Sequence, residues 1–188
     1  MTSDIQVLTL ESIWQMTLEL AKDIQKSNFQ PDILIGIARG GLVVTRLLSD
    51  LLEIANTAVI GVGFYKGINE TSKEPRLTQN IDVELKKQKI LLIDDVSDTG
   101  KSMEFAFNYL KMKEIGELRT AALHYKPNSI FKPNFYIELT SSWIVYPWEY
   151  KEFTRLFYTK EKQTGKDKKY IKKKLLALGI PNTIVEDI

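Results

Sequence analysis

Ile90-Leu91-Leu92-Ile93-Asp94-Asp95-Val96-Ser97-Asp98-Thr99-Gly100-Lys101-Ser102 is the stretch on which the fold turns. An apolar run that empties into acids reads as a strand of a parallel sheet, covered on both faces. Met103, Ala106, Phe107 and Leu110 then supply a helical stripe. The turn between strand and helix aims backbone N–H groups at whatever lies there, and with the Thr99 and Ser102 hydroxyls they favour a phosphate. Asp94 and Asp95 repel a phosphate and suit a ribose diol or a divalent cation. One ligand carrying both a phosphate and a diol satisfies both halves.

Other readings of the stretch fail on particular residues. Gly100-Lys101-Ser102 has the ending of a nucleotide-binding P-loop, but that motif needs a glycine where Asp95 stands. Paired aspartates also follow a strand in phosphoacceptor signalling domains, where they come early in the chain and no Asp-Thr-Gly follows directly. Capping and turn formation account for Asp98 and Thr99, but not for three acids in five residues.

Outward from this stretch the elements alternate. Thr9 can cap a helix whose apolar stripe is Ile13, Met16, Leu20 and Ile24. Pro31 opens a strand, Ile33-Leu34-Ile35-Gly36-Ile37, followed by Ala38-Arg39-Gly40-Gly41 and a helix carrying Leu42, Leu47, Leu48, Leu51 and Leu52. Further strands are expected over about residues 57–63 and over residues 120–125. Strands separated by helical stretches make an α/β domain with a parallel sheet and right-handed crossovers. Ligands on such sheets bind at the carboxyl ends of the strands, so segments 38–41 and 94–102 should face one crevice.

Composition narrows the chemistry. The 188 residues are 44% hydrophobic and 27% charged, with a formal net charge of +2, which describes no general polyanion binder. With no Cys and one His, His124, disulfides, thiolate sites and histidine-held metal clusters are excluded; any metal is a hard, oxygen-bound one such as Mg²⁺. No apolar run approaches the roughly 20 residues of a bilayer span, and Met1-Thr2-Ser3-Asp4 does not resemble a secretory leader. The expected compartment is the cytoplasm.

Arg39-Gly40-Gly41 alone is a weak signal, because Gly-Gly is a common turn. Beside the acidic stretch it gains force: glycines let an anion approach the backbone, and a guanidinium clamps two phosphate oxygens at once. The two motifs together resemble the type I phosphoribosyltransferases, residues 90–102 matching their phosphoribosyl pyrophosphate signature and residues 38–41 their pyrophosphate loop. The resemblance implies that family's fold, a parallel central sheet flanked by helices with a small hood over the carboxyl edge. A single domain over residues 1–188 is expected, with its core at about 30–125, the hood at about 126–150 and a basic helical tail at about 160–180. The resemblance also implies a non-proline cis peptide at Ala38-Arg39.

In the last third, Lys126-Pro127 and Phe135-Tyr136-Ile137-Glu138 precede Trp143-Ile144-Val145-Tyr146-Pro147-Trp148-Glu149. This is similar to the hood of the 6-oxopurine enzymes, in particular the xanthine-guanine and archaeal hypoxanthine-guanine branch. The resemblance implies that Lys126 donates to the purine O6, that Trp143 stacks on the base, and that backbone around Ile144 reads the 2-position edge. Physical chemistry agrees: an ammonium has donors and no acceptor, so it matches an exocyclic oxygen and leaves an adenine amino group unpaired. An indole face stacks on a purine for about 1–3 kcal/mol. Trp148 is expected to serve packing. Glu149 stands where an Asp usually ends the hood of the bacterial xanthine-guanine branch, and Lys101-Ser102 where Gly-Thr is frequent, which leaves the order of hypoxanthine, guanine and xanthine open.

The implied reaction is a Mg²⁺-dependent transfer of the 5-phosphoribosyl group from phosphoribosyl pyrophosphate to N9 of a 6-oxopurine, a step of purine salvage. Ala38, Arg39, Gly40 and Gly41 would hold the pyrophosphate. Asp94 and Asp95 would hold the ribose hydroxyls and the Mg²⁺, directly or through water. Asp98 would receive the proton from purine N7, and Thr99, Gly100, Lys101 and Ser102 would cradle the 5-phosphate. The polar run 64–80 is read as a loop that closes over the substrates, with Lys66, Lys73 or Arg76 as candidates to meet the pyrophosphate.

Segment 160–174 holds eight lysines and two acids, and Ile171, Leu175 and Leu178 form a stripe that ends at Gly179, with Pro181 beyond. It is read as a helix with a solvated basic face. The expected partners are the two small-molecule substrates and further copies of the chain in a homo-oligomer, dimer or tetramer, with no membrane and no nucleic acid. The alternatives are a phosphoribosyl pyrophosphate-sensing regulator of the same fold that binds nucleic acid, and a transferase for another base.

Overall fold

Two runs of consecutive apolar residues, Ile33–Ile37 around one glycine and Ile90–Ile93, are buried at every position in the computed structural model, which describes residues 4–65 and 74–188. In chain order the strands are β1 Ile5–Val7, β2 Ile33–Ala38, β3 Thr57–Tyr65, β4 Glu74–Gln79, β5 Ile90–Ser97, β6 Leu118–Tyr125, β7 Phe135–Leu139 and β8 Trp143–Val145. The helices are α1 Leu10–Lys26, α2 Gly41–Leu51, α3 Lys101–Lys111, α4 Tyr150–Gln163, α5 Lys168–Ala177 and α6 Asn182–Val185. They form two compact units, a larger one of Trp14–Thr140 and a smaller one of Met1–Ile13 with Ser141–Ile188.

The larger unit is a six-stranded sheet in the order β4-β3-β2-β5-β6-β7, parallel except for β4, which runs antiparallel to β3. Continuous apolar runs suit its centre, because helices cover both faces there. On one face Ile33, Ile35, Ile37, Ile90 and Leu92 meet Met103, Ala106 and Leu110 of α3. The alternate positions Leu34, Leu91 and Ile93 are equally buried, and α2 lies against β2 and β5. Each such side chain contributes about 1.5–3 kcal/mol on burial, so β2 and β5, which carry the two site motifs at their carboxyl ends, are the most firmly held strands.

Three expectations need correction. The buried face of α2 is Gly41, Val44, Thr45 and Leu48, while Leu42 is exposed; the helix starts pressed against β5, and the i, i+3, i+4, i+7 face counted from Gly41 follows from that contact. The polar run 64–80 is in part strand, since Glu74–Gln79 pairs with β3. Only Pro75 and Leu77 alternate half-buried with exposed neighbours there, too little to mark a strand, and an edge position tolerates both proline and charge. Arg76 sits in β4 opposite Gly63; Lys66 and Lys73 lie outside the described residues. Finally, the lysine-rich segment is not one helix but the end of α4, a break and α5.

In the smaller unit β1 pairs parallel with β8, Ile5 opposite Trp143 and Val7 opposite Val145. Val145, Ile171, Leu175, Ile180 and Val185 form its core, with Ile5, Val7, Phe153 and Phe157 packed around them. The Asp167 carboxylate caps α5 by accepting the Tyr170 N–H at 2.7 Å, and the chain leaves past Gly179 at φ 95°. Thr9 caps α1 as expected, accepting the Ser12 N–H at 3.1 Å. Among the described residues no helix is long and apolar enough to cross a membrane.

Candidate active site

The turn after β2 and the acids of β5 are in direct contact. The Ala38–Arg39 peptide is cis, and Gly40 lies so close to Asp95 that a Cβ there would fall 2.2–2.4 Å from its carboxylate oxygens. At Gly41 a Cβ would meet the Ile93 carbonyl oxygen at 2.4 Å. Glycine is thus required for close approach, which an isolated Gly-Gly could not reveal. Arg39, at the apex, is exposed.

Asp94 and Asp95 belong to the strand itself rather than to the turn after it. Both are buried. The Asp95 N–H donates to Asp94 Oδ1 at 3.0 Å and the Val96 N–H to Asp95 Oδ1 at 2.8 Å, while the Gly41 N–H, at the start of α2, donates to the Asp94 carboxyl. Burial pushes the Asp94 carboxyl well above the usual carboxylate range, and the charge of Asp95 pushes it further. A diol or a cation brought between the two carboxyls would answer their acceptors.

From Asp94 to Met103 the chain lines a cavity of about 780 Å³, with Phe64 on its wall. Asp98 and Thr99 are exposed. Neither caps α3: the cap position is Gly100, at φ 81° and with no side-chain cap, and Thr99 Oγ1 only reaches the Lys101 N–H at 3.4 Å. Lys101, Ser102 and Met103 of the first turn line the cavity's end, and a helix start of this kind favours an anion. The turn is braced from behind. Ser97 Oγ donates to the Phe131 carbonyl at 2.7 Å and shares a hydrogen bond with Ser129 Oγ at 2.9 Å; the Ile130 N–H donates to the Thr99 carbonyl at 3.0 Å.

Lys126 follows β6, its N–H donating to the Ser97 carbonyl at 3.1 Å. Its ammonium is attracted by Asp98 and Glu138, although burial pulls its pKa below the ordinary lysine value. The larger unit thus brings together Ala38–Gly41, Asp94–Ser102 and Lys126. Trp143 and Ile144 belong to the smaller unit, where Ile144 is buried and Trp143, 57% exposed, begins β8 and lines a cavity of about 580 Å³ with Phe153, Leu156 and Phe157. Trp148 stacks on Tyr146 at 4.8 Å, the packing role expected of it. Sequence reasoning missed Phe64, Ser97, Ser129, Phe131 and the pair His124–Glu138; the seryl brace and that pair depend on which strands and loops become neighbours, which leaves no local signal.

Residues 6–152 match the family model of the phosphoribosyl transferase domain. The chain belongs to the phosphoribosyl transferase domain family. This phosphoribosyl transferase domain is 28% identical over 120 residues to the hypoxanthine-guanine phosphoribosyltransferase of Aquifex aeolicus, a match that takes in 61% of this chain and 66% of that one. The chain thus spans about two thirds of that relative's length. Among solved structures, the purine phosphoribosyltransferase from Pyrococcus horikoshii Ot3 superposes with a TM-score of 0.70 at 36% identity, over 77% of this chain and 93% of that one. A hypothetical protein from Neisseria gonorrhoeae with bound ppGpp superposes at 0.73 with 25% identity, over 79% and 91%.

Proposed function

We propose that this phosphoribosyl transferase domain transfers the 5-phosphoribosyl group from phosphoribosyl pyrophosphate to N9 of a 6-oxopurine and releases pyrophosphate. The observation that carries the reading is the contact of the Arg39-Gly40-Gly41 turn with Asp94 and Asp95 at the cavity that continues to Ser102. Arg39 and the Gly40 N–H would neutralise the departing pyrophosphate. Asp94 and Asp95 would grip the 2- and 3-hydroxyls and stabilise the positive charge that grows on C1. Asp98 would take the proton from purine N7, residues 99–102 would hold the 5-phosphate, and Lys126 would donate to O6.

The donor set fits a Mg²⁺ ion, being two adjacent carboxyls. Among the described residues no group of three or more His, Cys, Asp or Glu side chains could hold a metal by itself. Asp94 and Asp95 would hold it; when bound it would supply positive charge to the leaving group.

The test is steady-state formation of nucleotide and pyrophosphate with hypoxanthine, guanine, xanthine and adenine in turn. Turnover of the oxopurines is expected; turnover of adenine ahead of them, or of none of the four, overturns the proposal. The ppGpp held by the Neisseria protein favours a second reading, occupation of the same cavity by a guanosine nucleotide bearing diphosphates. Competition between ppGpp and phosphoribosyl pyrophosphate would support it, and simultaneous binding would refute it.

A further inference from the structure

We propose that Glu138 is a positioning residue that holds the Lys126 ammonium at the purine O6 and thereby sets the preference for 6-oxo over 6-amino purines. The inference rests on the transferase reading above. β6 and β7 set His124 opposite Glu138, and residues paired across parallel strands project from one face. The imidazole Nε2 accordingly lies 3.6 Å from Glu138 Oε2. His124 is fully buried, and that burial drives its imidazole down to about 4, so it stays neutral. Packed on every side, it fixes the inner flank of Glu138, whose side chain remains 40% exposed.

Past the end of β6, the Lys126 N–H to Ser97 carbonyl bond prolongs the ladder, and the period of two returns the Lys126 side chain to the His124 side. Asp98, from the turn before α3, and Glu138, from β7, are the two carboxylates that support its charge against burial. Their roles differ in the proposed chemistry. When Asp98 takes the N7 proton it loses its negative charge; Glu138, on another strand, keeps its own. The ammonium, with three donors and no acceptor, is thereby preserved through the step. A neutral amine in its place would offer a lone pair to an adenine amino group.

Carbon NMR of the Lys126 Cε, identified by its loss in Lys126→Arg, reads this link without turnover. In Glu138→Gln the Lys126 titration should move down by about one pH unit, and the alkaline limb of kcat/KM for the oxopurine should move with it, so that the loss grows with pH toward a ceiling of about tenfold. Discrimination against adenine should fall as the pH rises. Glu138→Asp, which keeps the charge, should stay near the parent protein. In the Lys126→Arg background Glu138→Gln should move no limb, because a guanidinium stays charged throughout. An unmoved Lys126 titration, or a limb that moves equally in the arginine background, overturns the proposal. A moved titration without turnover of any purine supports the Glu138–Lys126 link and tells against the transferase reading instead.

Discussion

Exposure divides the three aspartates that fall within five residues: Asp94 and Asp95 are buried and paired, whereas Asp98 is open to the cavity. If Asp98 is the proton acceptor, Asp98→Asn should lower kcat by about 100-fold or more while the KM for phosphoribosyl pyrophosphate changes by about threefold or less; equal losses in both would remove the role. Gly40→Ala should raise that KM by about tenfold or more, since the new methyl would displace the Asp95 carboxylate. His124 adds a pH dependence of its own. Its folded value of about 4 lies below the ordinary 6.5, so the unfolded chain binds the extra proton first. Stability should be full above pH 6.5 and fall between there and about 4, by about 3 kcal/mol in all; urea midpoints that do not fall across this window for the parent, relative to His124→Gln, would contradict it. The acids, the arginine and the glycines were legible because each motif is contiguous. Glu138 and Ser129 were not, because their roles arise from strand register and loop packing.

Among the elements, sequence reading succeeded where a period was long and apolar, as in α1, β2, β5 and α3. It failed for β4, whose edge position demands little apolar surface, and for α4, whose charged and aromatic residues mask its stripe. α5 illustrates what a cap and a stripe accomplish in a helix of 10 residues, too short to persist alone. Asp167→Ala should cost about 1 kcal/mol through the lost bond to the Tyr170 N–H. Leu175→Ala, in the core of the smaller unit, should cost about 2–5 kcal/mol. Thermal and denaturant unfolding of the two variants measure both; a cap variant that costs as much as the core variant would mean that α5 is held by its end rather than by its face.

For the molecule entire, the alternation of strand and helix was enough to predict the α/β class and the sheet edge that carries both motifs. The assembly of a smaller unit from both chain ends was not legible, because the pairing of β1 with β8 joins segments remote in sequence. Charge is distributed just as unevenly: segment 160–174 carries +6, against +2 for the whole chain and hence −4 elsewhere. Within the larger unit, amide hydrogen exchange should be slowest in β2, β5 and β6 and fastest in the edge strands β4 and β7, each of which has a neighbour on one side only. The knot formed by Ser97, Ser129 and the Phe131 carbonyl joins the turn before α3 to the chain just beyond Lys126. The two segments proposed to hold opposite ends of a nucleotide therefore hang from one peg, and a change that loosens it, such as loss of the Ser129 hydroxyl, would slacken both together.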